Sequence, residues 1–141
     1  MNLSEAKALA ERLMIEHGAG HYTLHFDDSR RRFGVCRRYE RTITLSKPLT
    51  ELNEQKHVED VILHEIAHAI SPEGGHGRKW RQVALSIGCN GQRCYGSDVI
   101  TPSKPWRGTC SEACGNVFDR FRRIDGRCKK CKQDISWKKN K

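Results

Sequence analysis

The chain has 141 residues, with 26 Lys+Arg against 17 Asp+Glu, a formal net charge of +9, seven His, seven Cys and 36% hydrophobic residues. That length suits one ordinary domain, or a small domain joined to a metal-stapled module, and collagen-like, disordered and integral-membrane classes are excluded because no run nears the roughly 18 apolar residues of a membrane span. The first residues lack the apolar stretch of a secretory signal, so a reducing cytoplasm is expected, where an odd cysteine count points to metal-binding or packed thiols and not to a disulfide framework.

Leu3, Ala6, Ala10, Leu13 and Met14 recur at helical spacing, which predicts an amphipathic helix over 4–17 with Ser4 as its N-cap and Gly18 as its stop. Three segments rich in β-branched and aromatic residues follow, 22–26, 33–39 and 41–46, and are expected to pair as a small antiparallel meander. Val58, Val61, Ile62, Ile66, Ala69 and Ile70 mark a second helix of about 17 residues beginning near Asn53 and ended by Pro72 and Gly74-Gly75. A third helix is expected from about Gly77 to Ile87. Cys36 falls on a predicted strand and is expected in the core, and Cys89 and Cys94 are expected to be reduced packing residues.

The second helix carries His64-Glu65-Ile66-Ala67-His68. Histidines four apart project from one helix face and can reach one ion, while Glu65 is displaced toward the open coordination position. The same pattern also fits two helix-face histidines and a solvated glutamate. A catalytic zinc takes three protein ligands and keeps one position for water, so a third donor is needed beyond the helical turn. His76, in Gly74-Gly75-His76-Gly77, is the expected donor, because the chain breaks at Pro72 and the glycines permit a reversal; Glu73 competes with it. Asp60 and His57, one and two turns before His64, could reach the partners of the metal ligands, although solvated polar residues are the expected reading for both.

Cys110, Cys114, Cys128 and Cys131 form two close pairs, x3 and x2, separated by thirteen residues. Each pair can supply two thiolates from one knuckle, with the intervening chain returning as a β-hairpin, so a structural zinc ribbon is expected; Gly115, Lys132 and Asp125-Gly126 support turns there. Residues 101–141 carry 12 basic and 4 acidic residues, against 14 and 13 in residues 1–100. The basic partner-binding surface is therefore expected in the C-terminal segment, which begins at the extended stretch containing Pro102 and Pro105. Arg120, Arg122, Arg123, Arg127, Lys129 and Lys130, with Trp106 and Trp137, are the candidate nucleic-acid contacts, by phosphate attraction and base stacking and without sequence specificity.

Residues 64–70, HEIAHAI, followed by GGHGRKW at 74–80 and preceded by FGVCRRYERTITLSKPL at 33–49, resemble the SprT-like (Spartan-related) zinc metalloprotease family. The resemblance implies an α+β fold: a zincin-type metalloprotease domain over 1–100 (helix, small antiparallel sheet, active-site helix, helix), a linker over 101–107, a small zinc-ribbon β module over 108–136 and a basic tail over 137–141. It also implies that His64, His68 and His76 hold a catalytic Zn2+ and that Glu65 is the catalytic carboxylate, with Trp80 at an aromatic position of the family; the spacing of the four cysteines adds the expectation of a second, structural Zn2+. The implied activity is hydrolysis of DNA-bound or DNA-crosslinked proteins by a zinc-activated water, with Glu65 taking the water's proton. Expected partners are DNA and protein substrates on it, with no membrane. Two other readings stay open: a non-proteolytic nucleic-acid-binding adaptor with structural zinc sites, and a soluble peptidase acting on a specific repressor-like protein.

Overall fold

The computed structural model describes residues 1–110, 114–124 and 126–140; Asp125 of the expected turn and Lys141 of the expected basic tail lie outside them. The chain divides into two compact units, Met1–Pro102 and Ser103–Lys141. Among the described residues, no helix is long and apolar enough to cross a membrane.

The first unit runs α1 (Leu3–Glu16), β1 (Thr23–Asp27), β2 (Gly34–Arg37), β3 (Thr42–Ser46), α2 (Lys47–Leu52), α3 (Gln55–Ile70) and α4 (Arg78–Ser86). Helix α1 buries Ala6, Leu9, Ala10, Leu13 and Met14, the stripe its periodicity predicts. Its cap is Asn2 and not Ser4: Asn2 Oδ1 accepts from the backbone N–H groups of Ser4 (2.7 Å) and Glu5 (3.3 Å), which the first turn leaves unpaired. Gly18, at φ +87°, ends the helix in a left-handed conformation that suits glycine.

The sheet is not an antiparallel meander. Its order is β1-β3-β2, with β1 parallel to β3 (Leu24 opposite Ile43, Phe26 opposite Leu45) and β2 antiparallel to it (Gly34 opposite Leu45, Cys36 opposite Ile43). The reason lies in β3, where Ile43, Thr44, Leu45 and Ser46 are all buried, a run that needs cover on both faces and a neighbour on each edge. The β2–β3 hairpin forms as expected, and the first strand crosses to the far side of β3. Helix α2, which the sequence reading left out, is capped by Ser46, whose Oγ accepts from Leu49 N–H at 3.2 Å, with Pro48 in its first turn.

Helix α3 is the centre of the unit. It buries Val58, Val61, Ile62, Leu63, Ile66 and Ala67 in one core with α1, the sheet, and Trp80 and Ala84 of α4. After α4 the chain leaves regular structure at Gly88 (φ +98°) and is fastened at its end by buried Asn53, whose side chain donates to the Ile100 carbonyl (2.8 Å) and accepts from Ile100 N–H (2.7 Å).

The second unit is a three-stranded antiparallel sheet in the order β5-β4-β6, formed by β4 (Trp106–Thr109), β5 (Val117–Arg120) and β6 (Ser136–Lys139). Strand β4 begins inside the expected 101–107 linker, and β6 takes up most of the expected 137–141 tail. The hairpins also differ from the expectation. Each cysteine pair sits in the turn of a hairpin, the first between β4 and β5 and the second inside the Arg127–Asp134 bridge, so a hairpin spans each pair and none lies between the pairs among the described residues. Gly108 is buried at the middle of β4, where a Cβ would come within 2.8 Å of the Phe118 ring and 3.0 Å of Ile135 and Trp137.

Candidate active site and metal centres

His64 and His68 stand one turn apart on α3, and the Gly74-Gly75 reversal, with Gly75 at φ +80°, brings His76 back over them. The three Nε2 atoms converge: His76 Nε2 lies 3.1 Å from that of His64 and 3.0 Å from that of His68. Three nitrogens about 2.0–2.1 Å from a zinc ion at tetrahedral angles stand about 3.3 Å apart, so the observed spacing is close to one face of that tetrahedron. Each ring nitrogen carries either one proton or one lone pair, so three such atoms cannot all satisfy one another, whereas a cation satisfies all three. The donor set therefore fits zinc. Burial holds the pKa of His64 and of His68 down to about 4, favouring the neutral form that ligates a metal. Glu73, the competing donor, is exposed and pairs instead with Lys79 at 3.0 Å.

Trp80 is the floor of this cluster. It is 1% exposed, and its ring centroid lies 4.7 Å from those of His64 and His76 and 5.2 Å from that of His68. Glu65 is 5% exposed and so is not the solvated glutamate of the plain alternative. Burial raises its pKa to about 8, against an opposing pull from Arg32. Gly34 of β2 presses on it from across the cleft: a Cβ there would meet Val61 Cγ1 at 3.0 Å, Glu65 Cγ at 3.1 Å and Glu65 Oε1 at 3.2 Å. Glu65, the three histidines, Gly34 and Val35 line one cavity of about 600 Å³.

The segment after α4 closes this cavity, and sequence reasoning missed its part in the site. Asp60 Oδ1 accepts from Asn90 N–H (2.9 Å), Asn90 Oδ1 accepts from Gln92 N–H (2.9 Å), and the Gln92 carbonyl accepts from the His64 imidazole. Because His64 Nε2 faces His76, that donor is Nδ1–H, which leaves the Nε2 lone pair for a metal. Tyr95 Oη donates to the Arg31 carbonyl (2.7 Å), and His57 lies 3.5 Å from Asp98. Asp60 and His57 are therefore half-buried anchors and not solvated residues. Cys89 is buried as expected, whereas Cys36 is half-buried on the cavity wall and Cys94 is exposed at its rim.

In the second unit the ligand atoms of Cys110, Cys114, Cys128 and Cys131 all lie within 4.8 Å of one another, with Cys114 Sγ 3.9 Å from Cys128 Sγ. Four thiolates about 2.3 Å from zinc stand about 3.8 Å apart, so this set also fits the ion. The two knuckles match: the residue after each pair is left-handed, Gly115 at φ +65° and Lys132 at φ +62°, and the first cysteine of each donates its N–H across the hairpin, Cys110 to Asn116 O and Cys128 to Gln133 O. Donation from the Cys131 backbone, then from the Asn116 side chain and the Lys130 backbone, holds the Cys128 thiol below its usual range.

The candidate nucleic-acid residues divide. Arg122, Lys129 and Lys130 are exposed; Arg127 is exposed but lies 3.5 Å from Asp134. Arg120 lies over the Phe118 ring and Arg123 over Trp106, both at 4.9 Å, and Trp137 packs edge-on against Phe118. Both tryptophans are thus half-buried in contacts within the unit.

Among solved structures, the chain is similar to the metallopeptidase zymogen jannalysin of Methanocaldococcus jannaschii, with a TM-score of 0.52 and 15% identity over 67% of this chain and 85% of that one, which is a likeness of fold. No curated protein matches the chain. The SprT-like family model matches residues 7–99, which span α1 through the segment that closes the cleft and include the three histidines and Glu65. With more than half of its length inside that match, the chain belongs to the SprT-like family.

Proposed function

We propose that this chain is a zinc-dependent endopeptidase acting on proteins carried on or crosslinked to DNA, with the second unit as a zinc-stapled DNA anchor. The observation that carries the peptidase reading is the convergence of three imidazole Nε2 atoms beside a buried carboxylate in one cleft. His64, His68 and His76 would hold the ion. When bound there, zinc supplies Lewis acidity toward water and a peptide carbonyl. Glu65 would accept the proton of the attacking water and deliver it to the leaving amine. The Gln92 carbonyl holds the His64 ring in the ligating tautomer, and Trp80 blocks water from behind the cluster. A structural metal site would have no use for a carboxylate between two of its ligands, which disfavours the adaptor reading.

The DNA part of the reading is supported by charge. The second unit carries 12 Lys+Arg against 4 Asp+Glu, and four thiolates on a zinc ion subtract two charges, leaving about +6 on a small surface. The test of the whole proposal is Glu65→Gln, which keeps the shape of the site and all three histidines. Cleavage of a DNA-bound protein is expected to fall by about three orders of magnitude or more, with zinc content and DNA affinity unchanged. Equal processing by both proteins would remove Glu65 from the reaction, and no cleavage by the fully zinc-loaded wild type returns the adaptor reading.

A further inference from the structure

Arginines stand around the cleft. Arg31, Arg32 and Arg38 on the β2 side and Arg93 on the segment after α4 line the same cavity as the histidines. The charge of Arg32 bears on Glu65, that of Arg38 on His68 and that of Arg93 on His76, so cations from two separate stretches of the chain act on the site's residues. Two carboxylates line the cavity beside them, and both are committed: Asp60 accepts from Asn90 N–H, and Glu65 is the proposed base. Arg32 is held by Asp27 at 3.1 Å, and Arg38 donates to the Tyr22 hydroxyl, which presets its position. Arg93 has no ion-pair partner among the described residues.

Building on the peptidase reading, we infer that this cleft selects polypeptide segments with Asp or Glu side chains flanking the scissile bond, and that Arg38 and Arg93 are the residues that determine this specificity. A guanidinium presents a planar fork of donors that matches a carboxylate, and two of them, one following β2 and one on the segment after α4, suit acidic side chains on the two sides of one bond. Gly34, Val35 and Val61 line the same cavity, and their apolar surface suits a peptide backbone and its β-carbons. A nucleic-acid strand, with a phosphate at every residue, would leave that surface uncovered. The total charge of the unit hides this feature, because acidic residues elsewhere balance arginines that the fold gathers at one place.

The test uses the zinc-loaded full chain and three short quenched peptides that differ only at the residues flanking the centre: Asp/Glu, Asn/Gln or Lys. At low salt the wild type is expected to prefer the acidic peptide over its amide twin by about tenfold in kcat/KM, with the basic peptide slowest. Arg38→Gln and Arg93→Gln should each reduce that ratio about threefold, and the double variant should bring it near one, at equal zinc content. Binding of the same peptides to Glu65→Gln protein, followed by fluorescence anisotropy, should show the same order. An absent acidic preference, or one that survives the double substitution, overturns the inference. Cleavage of all three peptides at equal rates sinks the inference and leaves the peptidase reading intact. Arginine-dependent binding of the acidic peptide without cleavage of any peptide does the reverse. Loss of oligonucleotide affinity in the double variant, with peptide binding unchanged, would make the cleft a nucleic-acid surface and overturn the inference.

Discussion

Glu65 and Gly34 together show how single residues hold the site. A carboxylate that is 5% exposed on a helix otherwise facing the core breaks the apolar pattern of α3, and such breaks are retained where chemistry needs them. The helix alone leaves the Glu65 side chain free to choose among rotamers, and the bare backbone of Gly34 lets β2 close against it without filling the space it uses. Gly34→Ala would place a methyl group 3.1 Å from Glu65 Cγ and 3.0 Å from Val61 Cγ1, tighter than ordinary contact, and the softer neighbour is the Glu65 side chain. The expected result is a fall in kcat of about tenfold to a hundredfold, since catalysis is sensitive to displacements well under 1 Å, with a destabilisation of only about 1–2 kcal/mol. Thermal melts and zinc analysis separate the two effects. A variant that loses its zinc or melts far below the wild type would mean that Gly34 serves packing and not the placement of Glu65.

At the scale of elements, the segment between α4 and Ile100 has no regular structure yet completes the site through side chain to backbone hydrogen bonds. Its anchor is Asp60 on α3, and the chain of contacts from Asp60 through Asn90 and Gln92 ends on His64. Asp60→Ala removes the first acceptor and frees the Gln92 carbonyl from His64. Zinc affinity at the three-histidine site, measured by chelator competition, is expected to fall about tenfold to a hundredfold with the fold retained, because partners of ligating histidines carry contributions of that size. Asp60→Asn keeps an acceptor oxygen and should recover most of the loss, whereas Asp60→Leu, of similar size but with no acceptor, should not, an outcome that a simple packing role would not produce.

This segment also marks where the sequence stopped being legible. Helices α1, α3 and α4 announce themselves through apolar period and breakers, and the spacing of His64, His68 and His76 limits where a metal can sit. Strand order does not follow from alternation, because alternation tells which face a residue takes and not which edge its strand joins; the clue was the unbroken burial-prone run Ile43-Thr44-Leu45. Contacts such as Asp60 to Asn90 join residues thirty apart with no periodic trace. The arginine wall was visible as six arginines between residues 30 and 41, yet net charge over a hundred residues averaged it away.

At the scale of the whole molecule, the two units differ in what holds them folded. Met1–Pro102 has a continuous apolar core, whereas the second unit, from Ser103 on, has about forty residues, below the size at which burial alone sustains a fold, and its buried residues among those described are Gly108 and Cys128. A metal on the four cysteines would then contribute most of its folding free energy. Cys128→Ser with Cys131→Ser is expected to lower the zinc content from two ions per chain to one and to unfold residues 103–141, while cleavage of a short peptide free of DNA continues at the wild-type rate. DNA affinity should fall toward that of a chain ending at Pro102. Its dependence on salt should also flatten, because the number of counterions released follows the number of phosphates neutralised, and the exposed Arg122, Lys129 and Lys130 would no longer be held in place by the fold. Binding titrations from low to moderate salt on the three proteins decide the matter: an unchanged affinity and slope in the double-serine chain would place DNA on the first unit and leave the second without the anchoring role.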